Sequence, residues 1–236
     1  MKCYREIAGD DARAIWRVKG WNTIHSLILL LSSLEVLYLR TTLFLSCTGL
    51  LSFSWFLASN DGMLKSSRGS ANHANRITFL RLCLTLLLGL LFPLMGDALI
   101  AVIALVIIIM DRLDGYLARR FNSISEKGAH FDRETDAFFV CILCAVIYLK
   151  GYLDVWILLV GFMRYLYAVL LFLLNLSHRK DPSSRFAQIV AGILFCTLIT
   201  PFVLPEYVYS PCVIFSSILL IVSFSHTFMN TIFSRE

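Results

Sequence analysis

Apolar runs long enough to cross a bilayer constrain this chain more than any other feature. One reads "LIAVIALVIIIM" (99–110), another "AFFVCILCAVIYL" (137–149), and similar runs fill most of the sequence. A helical crossing needs ~20 predominantly apolar residues. We place eight segments near 23–39, 41–58, 76–95, 98–121, 129–149, 153–176, 186–204 and 209–231. Lipid offers the backbone no hydrogen-bond partners, so each is expected to be helical. Hydrophobic residues make up 58% of the 236 and charged ones 16%. A soluble domain of that length could not hide so much apolar surface. The expected class is an all-α polytopic membrane protein, with a tight hairpin or re-entrant pair around Arg40 at its start.

Residues 1–21 ("MKCYREIAGDDARAIWRVKGW") are polar and of mixed charge. They read as a helix on the membrane surface or as a plain soluble helix, and not as a secretory leader. Seven cysteines lie mostly within apolar segments. The CxxC spacing of "CILC" has no second pair, so packing is expected there rather than a metal or redox role.

Lys and Arg set the orientation. The N-terminus, the 59–75 loop, the 112–133 region and the 177–185 loop are rich in them, whereas the alternate connections hold little beyond Arg40 and Lys150. With eight crossings, both termini and the 112–133 region are expected on the cytoplasmic side.

That region begins and ends in carboxylates. Asp111, Asp114, Gly115 and Ala118 follow i, i+3, i+4, i+7 spacing and share one helix face. Gly128, Asp132 and Asp136 follow i, i+4, i+8 and share a face of the next helix. A short turn near "FNSIS" makes the two helices antiparallel neighbours, so two carboxylates from each converge at the membrane boundary. Four such groups need protons or cations to coexist. Oxygen-only ligands favour hard ions, and four Asp suit two of them, Mg²⁺ or Mn²⁺. A metal pair is the usual clamp for in-line displacement at phosphorus. Gly115, Ala118 and Gly128 leave room beside the carboxylates. Taken alone, small residues would equally serve helix packing.

The stretch fits D-x2-D-G-x2-A-R-x8-G-x3-D-x3-D at Asp111, Asp114, Gly115, Ala118, Arg119, Gly128, Asp132 and Asp136 without departure. It resembles the signature of the CDP-alcohol phosphotransferases (CDP-alcohol phosphatidyltransferases). "NRITFLR", with Asn75, Thr78 and Arg81, resembles that family's N-x2-T-x2-R. The resemblance covers about 72–231 and implies a six-helix transmembrane core in a domain 72–236. Residues 1–71 then form a separate N-terminal region: the surface helix and an extra apolar hairpin. Neither that hairpin nor Glu35 within it acquires a role from the sequence.

The resemblance implies transfer of a phosphatidyl group from a CDP-linked lipid, such as CDP-diacylglycerol, to a small alcohol, with release of CMP. It implies Asp111, Asp114 and Asp132 as metal ligands and Asp136 as general base, also near a metal. Asn75, Thr78, Gly115, Ala118, Arg119 and Gly128 become the CDP pocket, and Arg81 a candidate for neutralising the acids. It further implies a homodimer. The expected partners are the CDP-lipid, the alcohol and membrane lipid, with no nucleic acid.

Arg164, inside an apolar segment, and Arg185, at a helix start, could together hold an acceptor phosphate of the glycerol 3-phosphate or inositol phosphate type. The competing readings are pairing with a carboxylate or snorkelling for Arg164, and membrane anchoring for Arg185. Acids in a helical membrane protein also mark cation- or proton-coupled transporters. A transporter would more often scatter them near the midplane and carry repeats, and none is visible here.

Overall fold

The computed structural model describes residues 2–60, 71–120, 126–174 and 185–233, and the side chains of 20–60, 75–113, 115, 127–174 and 185–231. The expected "FNSIS" turn and most of the 59–75 and 177–185 loops lie outside the described residues.

Among the described residues eight α-helices follow one another: α1 (Lys2–Tyr38), α2 (Leu43–Ala58), α3 (Ala71–Leu91), α4 (Asp97–Arg120), α5 (Glu126–Leu149), α6 (Trp156–Leu173), α7 (Arg185–Ile199) and α8 (Glu206–Phe233). Short 3₁₀ turns, each containing a proline, close α3 and α7. No strand occurs among the described residues. Sequential helices pack as antiparallel neighbours: α1 on α2, α3 on α4, α5 on α6 and α7 on α8.

α5 is the axis of the bundle. From Ala137 to Ile147 every side chain is buried, so this stretch is enclosed on all sides. α3, α6 and α7 all pack against it. Phe131, Phe138 and Phe139 fill the space between it and its neighbours. Close approach is built from small residues: a Cβ placed on Gly161 of α6 would stand 2.8 Å from the Cβ of Cys144. Cys141 and Cys144 are free and buried at this crossing, so their spacing serves packing, as expected.

The outer surface is greasy. Leu31, Trp55, Val102, Leu159, Phe215 and Ile218 are all more than half exposed. In water such a surface would aggregate; in lipid it is the solvated face. Among the described residues, Asn75–Leu94, Trp156–Leu173, Arg185–Phe202 and Glu206–Thr231 are long and apolar enough to cross a membrane. The chain is an integral membrane protein.

One expectation is refined. The surface helix and the first apolar segment are one helix: α1 runs unbroken for 37 residues, about 55 Å. No proline or capping break separates the polar part from the apolar part. Among the described residues four helices meet the length and composition of a crossing, in keeping with the expected polytopic all-α class. α4 and α5 carry charge in one half, which shortens their apolar windows. α2 has 16 residues, about 24 Å, against a bilayer core of about 30 Å.

The α1–α2 turn explains Glu35. Arg40 takes the left-handed conformation (φ +53°), which ends the helix and reverses the chain. The buried Glu35 carboxylate then accepts the Phe44 and Leu45 backbone N–H groups at 3.0 and 2.9 Å. It caps α2 with a charge matched to the positive end of the helix dipole. Thr42 donates to the Gly89 carbonyl and ties this turn to α3.

Candidate active site

Three helices meet around one guanidinium. Arg81 of α3 is 1% exposed, and its side chain runs between α4 and α5. It pairs with Asp111 of α4 at 3.2 Å, with Asp132 of α5 at 2.8 Å and with Asp136 one turn further on. One ligand oxygen from each of these acids lies within 4.8 Å of the others. Helix periodicity makes this possible: Asp132 and Asp136 are four residues apart on one face, while α4 presents Asp111 across the gap.

The acids are not sealed in. The side chains of Asp111, Asp132 and Asp136 are 19%, 35% and 26% exposed, so a polar substrate can reach them while Arg81 holds them from beneath. Thr78 is buried one turn before Arg81 on α3, and Asn75 is half-buried a further turn back. Gly115 follows Asp111 by about one turn on α4, and the buried Gly128 precedes Asp132 by one turn on α5. The side chains of Asp114, Ala118 and Arg119 lie outside the described residues; their backbone continues α4.

Donor chemistry fits a hard divalent cation. The three converging groups are carboxylates only, and the positive charge of Arg81 already stands among them. Three carboxyl groups face this one guanidinium, so oxygen donors for a cation that competes with it are already gathered.

Of the two acceptor-side arginines, Arg185 is exposed at the start of α7. Arg164 of α6 pairs with Glu134, whose side chain is 1% exposed. Glu134 lies between Asp132 and Asp136 in sequence but about 160° round the helix from both. His130, one turn before it, has Nδ1 3.6 Å from the same carboxylate. Glu134 occupies no position of the sequence motif. The signal that could have found this second pair was the i, i+4 spacing of His130 and Glu134, offset by two from the Asp pair. A further arginine, Arg112, reaches α7: a Cβ on Gly192 would meet its Nη2 at 2.6 Å.

At the other end of the bundle, Lys150 Nζ donates to Asp97 Oδ1 at 2.8 Å and to the Met95 carbonyl at 3.1 Å. The bond from Lys150, with a second from Tyr152, holds the Asp97 carboxyl below its ordinary range. Partial burial, and then the same carboxylate, push the Tyr152 phenol up to about 12. This network fastens the α3–α4 turn to the end of α5, far along the bundle from the acids.

Comparison with known proteins agrees with the cluster. Neither the curated proteins nor the solved structures give a match. The family model for CDP-alcohol phosphatidyltransferases matches residues 71–229, a span that holds Arg81 and all three converging acids. With two thirds of its length matched and these acids brought together, the chain belongs to the CDP-alcohol phosphatidyltransferase family, membrane transferases of phospholipid synthesis.

Proposed function

We propose that the chain transfers a phosphatidyl group from a CDP-linked lipid, such as CDP-diacylglycerol, to the hydroxyl of a small phosphorylated alcohol. Glycerol 3-phosphate and inositol phosphate exemplify the acceptor. The observation that carries this reading is the convergence of Asp111, Asp132 and Asp136 on one buried arginine, within the family-matched segment.

In this reading Asp111, Asp114, Asp132 and Asp136 hold two divalent cations, Mg²⁺ or Mn²⁺. When bound, these ions neutralise charge on the diphosphate and on the departing CMP. Asp136 takes the proton of the acceptor hydroxyl; proton transfer to a positioned group contributes ~10²–10⁴-fold in rate. The acceptor oxygen forms a bond to the lipid-linked phosphorus, and the bond to the CMP oxygen breaks. Asn75, Thr78, Gly115, Ala118, Arg119 and Gly128 line the CDP pocket, the glycines by leaving space. Arg185 is open to an acceptor phosphate, whereas Arg164 would have to leave Glu134 to join it. Arg81 balances the acids between turnovers.

The lipid tails stay in the bilayer throughout, which suits a site at the end of apolar helices. We place that site and both termini on the cytoplasmic face, because the basic connections alternate with poor ones. We also propose a homodimer.

The test is CMP release by purified protein given CDP-diacylglycerol, Mn²⁺ and a panel of alcohols. Release is expected with a phosphorylated acceptor, and Asp136→Asn is expected to lower it at least ~100-fold. Wild-type-like release by that variant sinks the base assignment. No release with any alcohol, alongside cation flux in liposomes, would favour a transporter.

A further inference from the structure

The polar side chains on the reverse of α5 take no part in the chemistry above, yet Glu134 there is among the most deeply buried charged side chains of the described residues. Glu134 pairs with Arg164 of α6 and has His130 beside it. The rest of the enclosure comes from α1. Trp21 stands edge-on to His130, with centroids 5.8 Å apart, and stacks on His25 at 4.6 Å. His25 is wholly buried, meets the ring of Tyr165 at 5.8 Å and shares a 2.7 Å hydrogen bond with Ser52 of α2. α1 and α2 lie outside the family-matched span, but they close over the back of the helix that carries Asp132 and Asp136.

α5 is therefore gripped from two sides. Arg81 holds its front acids, and Arg164 holds Glu134 on the opposite face. Much of the remaining contact is apolar, through Phe131 and Phe138, and apolar contact is non-directional. It does not by itself define how far the helix is turned. Rotation matters greatly at the front. Side-chain ends stand ~5–6 Å from a helix axis, so a 20° turn moves a carboxylate by ~2 Å. A functional constellation tolerates only about 0.5 Å. Stability is a poor reason for the pair, because replacing a buried ion pair by apolar residues is often neutral or stabilising.

We propose that Glu134, held by Arg164 and enclosed by His25 and Trp21, is a positioning residue that fixes the rotation of α5. It thereby aims Asp132 and Asp136 at Asp111 and makes the N-terminal helix part of the metal-binding apparatus. This rests on reading the acid cluster as a metal site.

The experiment uses the full chain in detergent, with Mn²⁺ as probe, no acceptor and no lipid substrate. Mn²⁺ affinity is read by electron paramagnetic resonance, and melting is followed separately in metal-free buffer. The key variant is the apolar double replacement Glu134→Leu with Arg164→Met, which leaves no lone buried charge. It is expected to melt within a few degrees of the wild type and to bind Mn²⁺ at least tenfold more weakly. Mn²⁺ affinity within twofold of the wild type overturns the proposal. So does a double variant that cannot fold, since the pair would then serve the fold and not the aim of the acids. His25→Ala is expected to weaken Mn²⁺ at least threefold, and unchanged affinity removes α1 from the device. A wild-type protein that binds no Mn²⁺ would refute the metal reading itself. Wild-type binding with an indifferent double variant would refute only the positioning role.

Discussion

Replacing Arg81 with methionine tests the centre of the site. The guanidinium is 1% exposed and stands at 3.2 Å from Asp111 and 2.8 Å from Asp132, with Asp136 closer still. At an effective dielectric of ~20, one pair at 3 Å attracts by ~5 kcal/mol. Three such attractions are gross energies, offset in large part by stripping water from the arginine. Removing one partner of a buried pair costs ~3–5 kcal/mol net, because uncompensated charge remains. Three carboxylates lacking Arg81 would then repel one another, and a divalent ion becomes their natural replacement. Arg81→Met is therefore expected to melt well below the wild type in EDTA, by about 10 °C on the scale of 2–4 °C per kcal/mol. Mn²⁺ should narrow that gap. An ion at a hundred times its Kd returns ~2.7 kcal/mol, and in the variant it need not displace a resident cation. The assay is scanning fluorimetry of both proteins in detergent, with EDTA and with Mn²⁺. An Mn²⁺-induced rise no larger in the variant than in the wild type would refute the reasoning. So would a variant that melts with the wild type in EDTA.

Other outcomes are expected away from the acid cluster. Glu35→Ala removes two charge-assisted bonds to the start of α2 and should cost ~1–3 kcal/mol in melting without changing Mn²⁺ affinity; an unaltered melting point would end the capping account. Asp97 has its carboxyl lowered in the folded protein, chiefly by the bond from Lys150. Its contribution is therefore fully present above the unfolded value, about 3.9, and is lost as pH falls through the folded value. Because the Asp97 side chain is 44% exposed, the effect is screened to at most ~1 kcal/mol. Asp97→Asn should flatten the acid limb of stability below about pH 4, and parallel limbs in the two proteins would contradict it.

Much of the site could be read from spacing alone. Residues four apart on a helix share a face whatever surrounds them, so Asp132 and Asp136 had to point the same way. Lipid forces apolar runs into helices, so the all-α class followed from hydropathy. The candidate role of Arg81 came with the resemblance carried by "NRITFLR", and the packed helices place it against Asp111, Asp132 and Asp136.

Other features depended on how the helices meet. Periodicity says which residues share a face but not what that face meets, so the sequence left Arg164 between an acceptor phosphate and a carboxylate partner, and the packed bundle supplies Glu134 as such a partner. Glu134 falls outside the motif, because it lies about 160° round the helix from the acids and meets its partners only once α6 and α1 are in place. The same holds for Glu35, whose target is a helix end formed only when the chain reverses at Arg40. Local periodicity is encoded by neighbours in the chain, and it established the helices and the shared face of the acids. The pairing of buried charges is decided by helix rotation and proximity, and only the packed bundle could assign Arg81 to the front of α5 and Arg164 to its back.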